Sequence, residues 1–269
     1  MTDLSIGVVG CGGRMGRTLI NQIIHTEGCS LAGGTEREDH HALGKDLGAL
    51  AGLEEPLGLI ASSDRQALFE RSDAVIDFTV PDTTALLAPL AVETNTAHII
   101  GTTGLDEDQA RIVAKAAQET VVIQSPNFSL GVNLLMALTR QVAQTLNPEF
   151  DIEIVEMHHR HKVDAPSGTA LGLGHAAAEG RGVNLNDVAD RGRDGITGAR
   201  KEADIGFASL RGGNVVGDHT VVFAADDERI ELTHKAGDRT IFARGAVHAA
   251  LWSRGKAANY YTISNILKL

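Results

Sequence analysis

The sequence predicts an α/β protein: a parallel sheet covered by helices in the first half, then a smaller α+β domain carrying a mostly antiparallel sheet. Three observations predict it. Short apolar strands and helical stretches alternate from Ile6 to Ile123, the order that builds parallel sheets with right-handed crossovers. The first strand runs straight into a glycine-rich loop and a helix. Between Ile205 and Thr233, strand-like segments follow one another across Gly/Asp turns without helices between them, the pattern of antiparallel pairing.

The composition sets the frame. A chain of 269 residues, 43% hydrophobic and 22% charged, reads as a soluble globular protein of one large or two ordinary domains. A formal charge of -11 argues against a general nucleic-acid binder, so a local basic cluster is aimed at a small anion. The opening run MTDLSIGVVG lacks the pattern of a signal peptide, and no apolar run approaches the ~20 residues that span a bilayer. Cys11 and Cys29 form neither a disulfide framework nor a metal-ligand set. A reducing, cytoplasmic setting without a membrane partner is expected.

Ile6-Gly7-Val8-Val9 reads as a buried strand entering Gly10-Cys11-Gly12-Gly13-Arg14-Met15-Gly16. Residues 17–25 then place Leu19, Ile20, Ile23 and Ile24 at helical spacing, and a second strand, 29–32, leads to Gly33-Gly34-Thr35-Glu36-Arg37. Glycines let the backbone turn and approach a pyrophosphate, while the helix start offers N–H groups and positive dipole. Glu36 stands where a carboxylate accepts hydrogen bonds from an adenine-ribose diol. Glu36 would repel a 2′-phosphate and Arg37 would attract one, so NADH and NADPH are both expected cofactors. The spacing is GxxGxxG (Gly10, Gly13, Gly16) rather than GxGxxG, and an ordinary turn is the alternative for the loop alone. Further strands are read at 74–80, stopped by Pro81, at 98–100 and at 121–123, with helices at 83–93 and 106–119. Ligands of such sheets sit at the carboxyl ends of the strands, where Phe78-Thr79, the Gly101-Thr102-Thr103-Gly104 loop and Asn127-Phe128 fall.

In the second half, residues 133–146 read as a helix and 151–157 as a strand; further strands are read at 205–210, 220–224, 229–233 and 240–243. A long loop or arm is expected at 180–201, and a helix at 246–253. The densest chemistry is His158-His159-Arg160-His161-Lys162, expected in a loop after the strand. Ser167 reads as the N-cap of a helix over 171–179 closed by Gly180, which puts Gly168 and Thr169 in a first turn suited to a carboxylate. Histidines can carry a proton near neutral pH. Three readings stand: a site for a small di-acid, a metal site, or a solvated basic loop. Against a metal, the histidines lack the usual ligand separation, and Arg160 and Lys162 repel a cation.

The motifs GCGGRMG at Gly10, TER at Thr35, DFTVP at Asp77, GTTG at Gly101, SPNFSLGVNL at Ser125, EMHHRHKVDAPSGTAL at Glu156, RGGNVVGDHTV at Arg211 and LTHKAGDR at Leu232 together resemble the dihydrodipicolinate reductase family from end to end. The resemblance implies a Rossmann dinucleotide-binding domain at 1–127 with 240–269 returning to it, and a substrate-binding and oligomerisation domain at 128–239 with an open sheet, assembled as a homotetramer. It implies a reductase of lysine and diaminopimelate biosynthesis acting on a small dicarboxylate. It implies that Gly10, Cys11, Gly12, Gly13, Arg14, Met15, Glu36, Arg37, Gly101, Thr102, Thr103, Ser125, Pro126, Asn127 and Phe128 hold the dinucleotide. His158 and Lys162 would be catalytic; His159, Gly168 and Thr169 would bind substrate. No metal is implied. Val80 is neutral where some relatives carry a basic residue, leaving Arg37 alone to hold a 2′-phosphate. A dinucleotide-binding sensor without turnover is the alternative of a different class.

Overall fold

The computed structural model describes residues 2–269. The chain divides into two compact units: residues up to Ser129 with Thr240–Lys268, and Leu130–Arg239. The first unit opens with β1 (Leu4–Val9), α1 (Arg14–Ile24), β2 (Cys29–Thr35), the short α2 (Leu47–Ala51) and α3 (Arg65–Glu70), then β3 (Ala74–Asp77), α4 (Pro81–Glu93), β4 (Ala97–Ile100), α5 (Glu107–Ala116) and β5 (Val121–Gln124). The second unit holds α6 (Leu130–Thr145), β6 (Asp151–His158), α7 (Gly168–Arg181), α8 (Leu185–Val188), β7 (Ala189–Asp190), β8 (Ile205–Arg211), β9 (Gly217–Ala224) and β10 (Arg229–Ala236). The chain returns to the first unit with α9 (Thr240–Ser253), β11 (Asn259–Tyr261) and α10 (Ile263–Leu267).

The first sheet has the order β11-β5-β4-β3-β1-β2, and every pairing is parallel. Buried on both faces, its strands are nearly continuous apolar runs: Ile6, Val8, Val75, Ile76 and Ile99 are fully buried. Val9, Leu68, Phe69, Val75, Leu87 and Ala91 form one core cluster, and Ala88, Ile100, Val113, Ala116, Ala117 and Val122 another. The start of α5 is fixed by a capping box between Asp106 and Gln109. Pro81 does not stop a strand. β3 already ends at Asp77, and Pro81 lies in the first turn of α4, where a missing N–H costs nothing.

The second sheet is mixed. In the order β10-β9-β6-β8-β7, the two pairings made by β9 are antiparallel, while β6–β8 and β7–β8 are parallel. The parallel pairings come from the crossover through α7 and α8, which a reading of adjacent strands misses. One face packs Ile152, Ile154, Phe207, Val221 and Phe223 against Leu173, Ala177 and Ala178 of α7.

Four further expectations are corrected. Residues 240–243 are helix, not strand; α9 packs small residues, Ala243, Ala246, Ala249 and Ala250, with full burial, and the three β-formers Thr240, Ile241 and Phe242 cannot outweigh that packing. Gly180 does not close α7. It lies inside the helix, where a Cβ would stand 2.4 Å from Arg140 O, and Gly182 at φ +67 closes it. The expected arm at 180–201 contains the end of α7, all of α8 and β7. Arg193 and Arg200 pin it by ion pairs to Glu153, Asp151 and Asp190. His158 is the last residue of β6 and is buried, rather than in a loop.

Candidate active site

Within the first unit, the β1–α1 turn is built from its glycines. Gly10, at φ +73, takes a backbone geometry that other residues resist, and its carbonyl accepts from Gly13 N at 3.0 Å. Gly16 lies so close beneath it that a Cβ would come within 2.1 Å of Gly10 O. Gly13 is the N-cap of α1 and offers no side chain, which leaves the first turn, Arg14 and Met15 included, for a phosphate to cap. Gly12 N donates to Glu36 Oε1 at 3.0 Å, leaving the carboxylate further lone pairs for a ribose diol. The Arg37 guanidinium pairs with Asp39 in the open, at 2.9 Å. Gly10, Gly13, Glu36, Arg37, Thr79 and Val80 line a cleft of about 420 Å³. These residues fit a dinucleotide. Cys11 is wholly buried, and burial, then the Glu36 charge, pushes its thiol up to about 12; its contribution to a ligand is backbone only.

The other loops at this edge hang on Asp77, whose carboxylate is fully buried. Oδ1 accepts from Thr79 N at 3.0 Å, Thr79 Oγ1 at 2.5 Å and Thr102 Oγ1 at 3.3 Å; Oδ2 accepts from Thr84 Oγ1 at 2.6 Å. His98 Nε2 stands 3.4 Å from Oδ2, off the angle of a hydrogen bond. Burial works to raise this pKa, but His98, Thr79 and Thr84 outweigh it and hold the acid below its usual value. One anion thus ties the loop after β3 to the Gly101-Thr102-Thr103 loop. Gly101 lets the Phe78 ring lie against it, where a Cβ would come within 2.4 Å. The Phe78 and Phe128 rings stand 5.5 Å apart. The Ser125-Pro126-Asn127-Phe128 turn is closed by Ser125 Oγ donating to Asn127 O at 2.7 Å and by Ser129 N donating to Asn127 Oδ1 at 2.8 Å.

Within the second unit, His158 Nδ1 meets Glu156 Oε2 at 2.5 Å. Arg211 grips the same carboxylate with two nitrogens, each at 2.8 Å, and Ser167 N donates to its Oε1 at 3.2 Å. Burial works to raise the Glu156 pKa, yet Arg211 and His158 bring it down to about 2. Ser167 Oγ caps α7 by accepting from Ala170 N at 3.1 Å, and lies 3.0 Å from His219 Nε2. The His158 and His219 rings meet edge to face at 5.1 Å. Burial first, then the neighbouring His158, holds His219 down to about 4, so it is neutral and shares a hydrogen bond with the Ser167 hydroxyl. Gly217 clears space at the other ring nitrogen, for a Cβ there would stand 2.9 Å from His158 Nε2.

Lys162 Nζ donates to Asp164 Oδ1 at 2.7 Å, and that bond first of all lowers the Asp164 pKa. His159 is held below its usual value by partial desolvation, then by Arg239 and its other cationic neighbours. Gly168 and Thr169 are the first two residues of α7. The histidine run and the first turn of α7 are thus joined through Glu156 and Ser167. Sequence reasoning missed Glu156, Arg211, His219 and Asp77 as site residues. For Glu156 a signal existed: two residues before His158 on a strand is the same face. Arg211 registers opposite His158, and His219 opposite Glu156, only through the sheet pairing.

The family described as "Dihydrodipicolinate reductase, N-terminus" matches residues 4–128, and its C-terminal counterpart matches 131–267. A protein of Parvibaculum lavamentivorans named 4-hydroxy-tetrahydrodipicolinate reductase is 59% identical over 98% of both chains. One of the same name from a Ruegeria species is 53% identical over the full length of both. Among solved structures, a dipicolinate-bound dihydrodipicolinate reductase from Paenisporosarcina shares the fold at a TM-score of 0.79, with 23% identity over 98% of this chain and 100% of that one. An amine dehydrogenase from Mycobacterium smegmatis shares it at 0.61, with 10% identity over 97% of this chain and 95% of that one. The chain belongs to the dihydrodipicolinate reductase family.

Proposed function

We propose that this chain is an NAD(P)H-dependent oxidoreductase that converts 4-hydroxy-tetrahydrodipicolinate to tetrahydrodipicolinate in lysine and diaminopimelate biosynthesis. The observation that carries the reading is a buried histidine, His158, held at Nδ1 by an ionised carboxylate that also holds the capped start of α7. That arrangement pairs a proton carrier with a turn suited to a carboxylate.

The substrate carboxylates are received by the first turn of α7 at Gly168 and Thr169, with His159 and the Lys162 ammonium. When bound, the dinucleotide supplies a hydride to substrate C4. The substrate hydroxyl leaves as water, and the net change consumes one hydride and one proton. His158 and Lys162 are the groups that pass the proton, and the Lys162 ammonium stabilises the charge that develops on the conjugated ring. Asp164, beside Lys162, holds the ammonium in place. In the first unit, residues Gly10–Met15, Glu36 and Arg37, Gly101–Thr103 and Ser125–Phe128 bind the cofactor, NADH or NADPH.

On this reading 1–127 with 240–269 is the cofactor domain, and 128–239 binds substrate and makes a cytoplasmic homotetramer. Half-exposed Leu210 and partly exposed Ile230 on the second sheet support a covered face. Among the described residues no helix is long and apolar enough to cross a membrane.

The test is loss of NADH and of NADPH absorbance with 4-hydroxy-tetrahydrodipicolinate generated in situ by its synthase. Rapid oxidation supports the reading and ranks the cofactors. Binding of either dinucleotide without oxidation would point instead to a sensor.

A further inference from the structure

We infer that Glu156 is a positioning residue, a single carboxylate that sets the tautomer of His158 and fixes that ring against the start of α7. The inference rests on the reading of His158 as a proton donor and adds how that donor is aimed.

The Glu156 carboxylate meets Arg211, His158, Ser167 N and the Ser209 side chain at once. Arg211 takes one position on each oxygen, at 2.8 Å, and a two-point grip fixes the plane of the carboxylate. Oε2 faces His158 Nδ1 at 2.5 Å, and Oε1 faces Ser167 N at 3.2 Å. An ionised carboxylate only accepts, and with its pKa lowered to about 2 Glu156 is ionised throughout the neutral range. His158 Nδ1 must therefore carry the hydrogen. In the neutral ring Nε2 is then the bare nitrogen, the atom that takes up the proton and passes it on, on the side that Gly217 leaves clear. Ser167 is held at the same time by its backbone N–H and by its hydroxyl, through His219. The donor ring and the turn that receives a carboxylate thus share one anchor. A Gln in this place cannot reproduce it. Either orientation of the amide sets an NH₂ against a donor, at His158 Nδ1 or at Ser167 N, and against Arg211 in both cases.

The test uses the full chain, with Glu156→Gln, Glu156→Asp and His158→Ala assayed side by side. For Glu156→Gln the expected result is a fall in kcat of about 10²-fold, within the worth of the general acid it serves, with the NADH Kd unchanged within twofold. ¹⁵N NMR of the His158 ring should show the Nδ1–H form in the native protein and a substantial Nε2–H fraction in the variant. Placed on His158→Ala, Glu156→Gln should add less than a twofold further loss, because it acts through the missing ring. Glu156→Asp keeps the charge for Arg211 but withdraws from His158, and should lower kcat in the same direction. A native His158 in the Nε2–H form would overturn the inference, whatever the stability of the variants. So would a folded Glu156→Gln protein with kcat within threefold of native, or one whose full loss persists on His158→Ala. Near-normal kcat in His158→Ala itself would instead overturn the proton-donor reading beneath it.

Discussion

Asp77 in the first unit and Glu156 in the second are both buried carboxylates near the end of a strand, and both are held ionised. They are satisfied in different ways. Asp77 is surrounded by one backbone N–H, three threonine hydroxyls and the edge of His98. Glu156 is gripped by a guanidinium and gives its remaining positions to a ring nitrogen and a backbone N–H. The first arrangement draws neutral donors from two loops and from α4 onto one point, which shapes backbone. The second spends a fixed cation on orienting the anion, so that the anion can orient something else. The partner set separates a carboxylate that holds loops from one that aims a titratable side chain.

The comparison breaks first, and most visibly, at Asp77. Asp77→Ala leaves buried donors from Thr79, Thr84 and Thr102 without their acceptor. It should cost several kcal/mol of stability, at about 1–3 kcal/mol for each buried donor left without a partner, read by urea unfolding. The milder Asp77→Asn should raise the dinucleotide Kd about tenfold while kcat at saturation stays within twofold, the reverse of the pattern expected for Glu156→Gln.

At the outer end of the cofactor cleft, Arg37→Ala should weaken NADPH roughly tenfold to a hundredfold, the worth of one charge-assisted bond, and spare NADH. Titration with each cofactor checks this; equal loss of both would mean that Arg37 does not read a 2′-phosphate. A smaller effect is expected at the start of α7. Ser167→Ala removes the cap from Ala170 N and should cost about 1 kcal/mol of stability, with a raised KM for the dicarboxylate.

A further effect is in the pH dependence of stability. Glu156 is lowered to about 2 from an ordinary 4.5, so its contribution is present above about 4.5 and is lost as pH falls toward 2. His219 is lowered to about 4 from 6.5. The unfolded chain takes that proton first, so its contribution is present above 6.5 and is lost as pH falls toward 4. Stability by urea unfolding should therefore decline in two overlapping stages below pH 6.5. Glu156→Gln should remove the lower one and, by taking away a charge that favours protonated His219, deepen the upper one.

Much of this was legible in the sequence because it is local. Gly10, Gly13 and Gly16, with Glu36 downstream, announce a turn that only small residues permit. Ser167 announces its helix, since a cap and the turn it caps are neighbours in the chain. What was not legible depends on pairing. Nothing near Arg211 says that it lies opposite His158, and nothing near His219 says that it faces Glu156; both facts come from strand register. Residues 240–243 misled because a window of four carries propensity but not the packing of a fourteen-residue helix. Asp77 ends the apolar run Ala74-Val75-Ile76 with an acid, and Thr79 two residues on is a usual partner for such a side chain. That short-range signal was available.

The most direct test of the account is His158→Ala, with kcat and the NADH Kd measured on the same preparation. A division of labour, with the dinucleotide held by the first unit and proton delivery by the second, predicts a fall in kcat of roughly 10²–10⁴ and an unchanged Kd. Near-normal kcat, or a Kd that worsens in step with kcat, would contradict it.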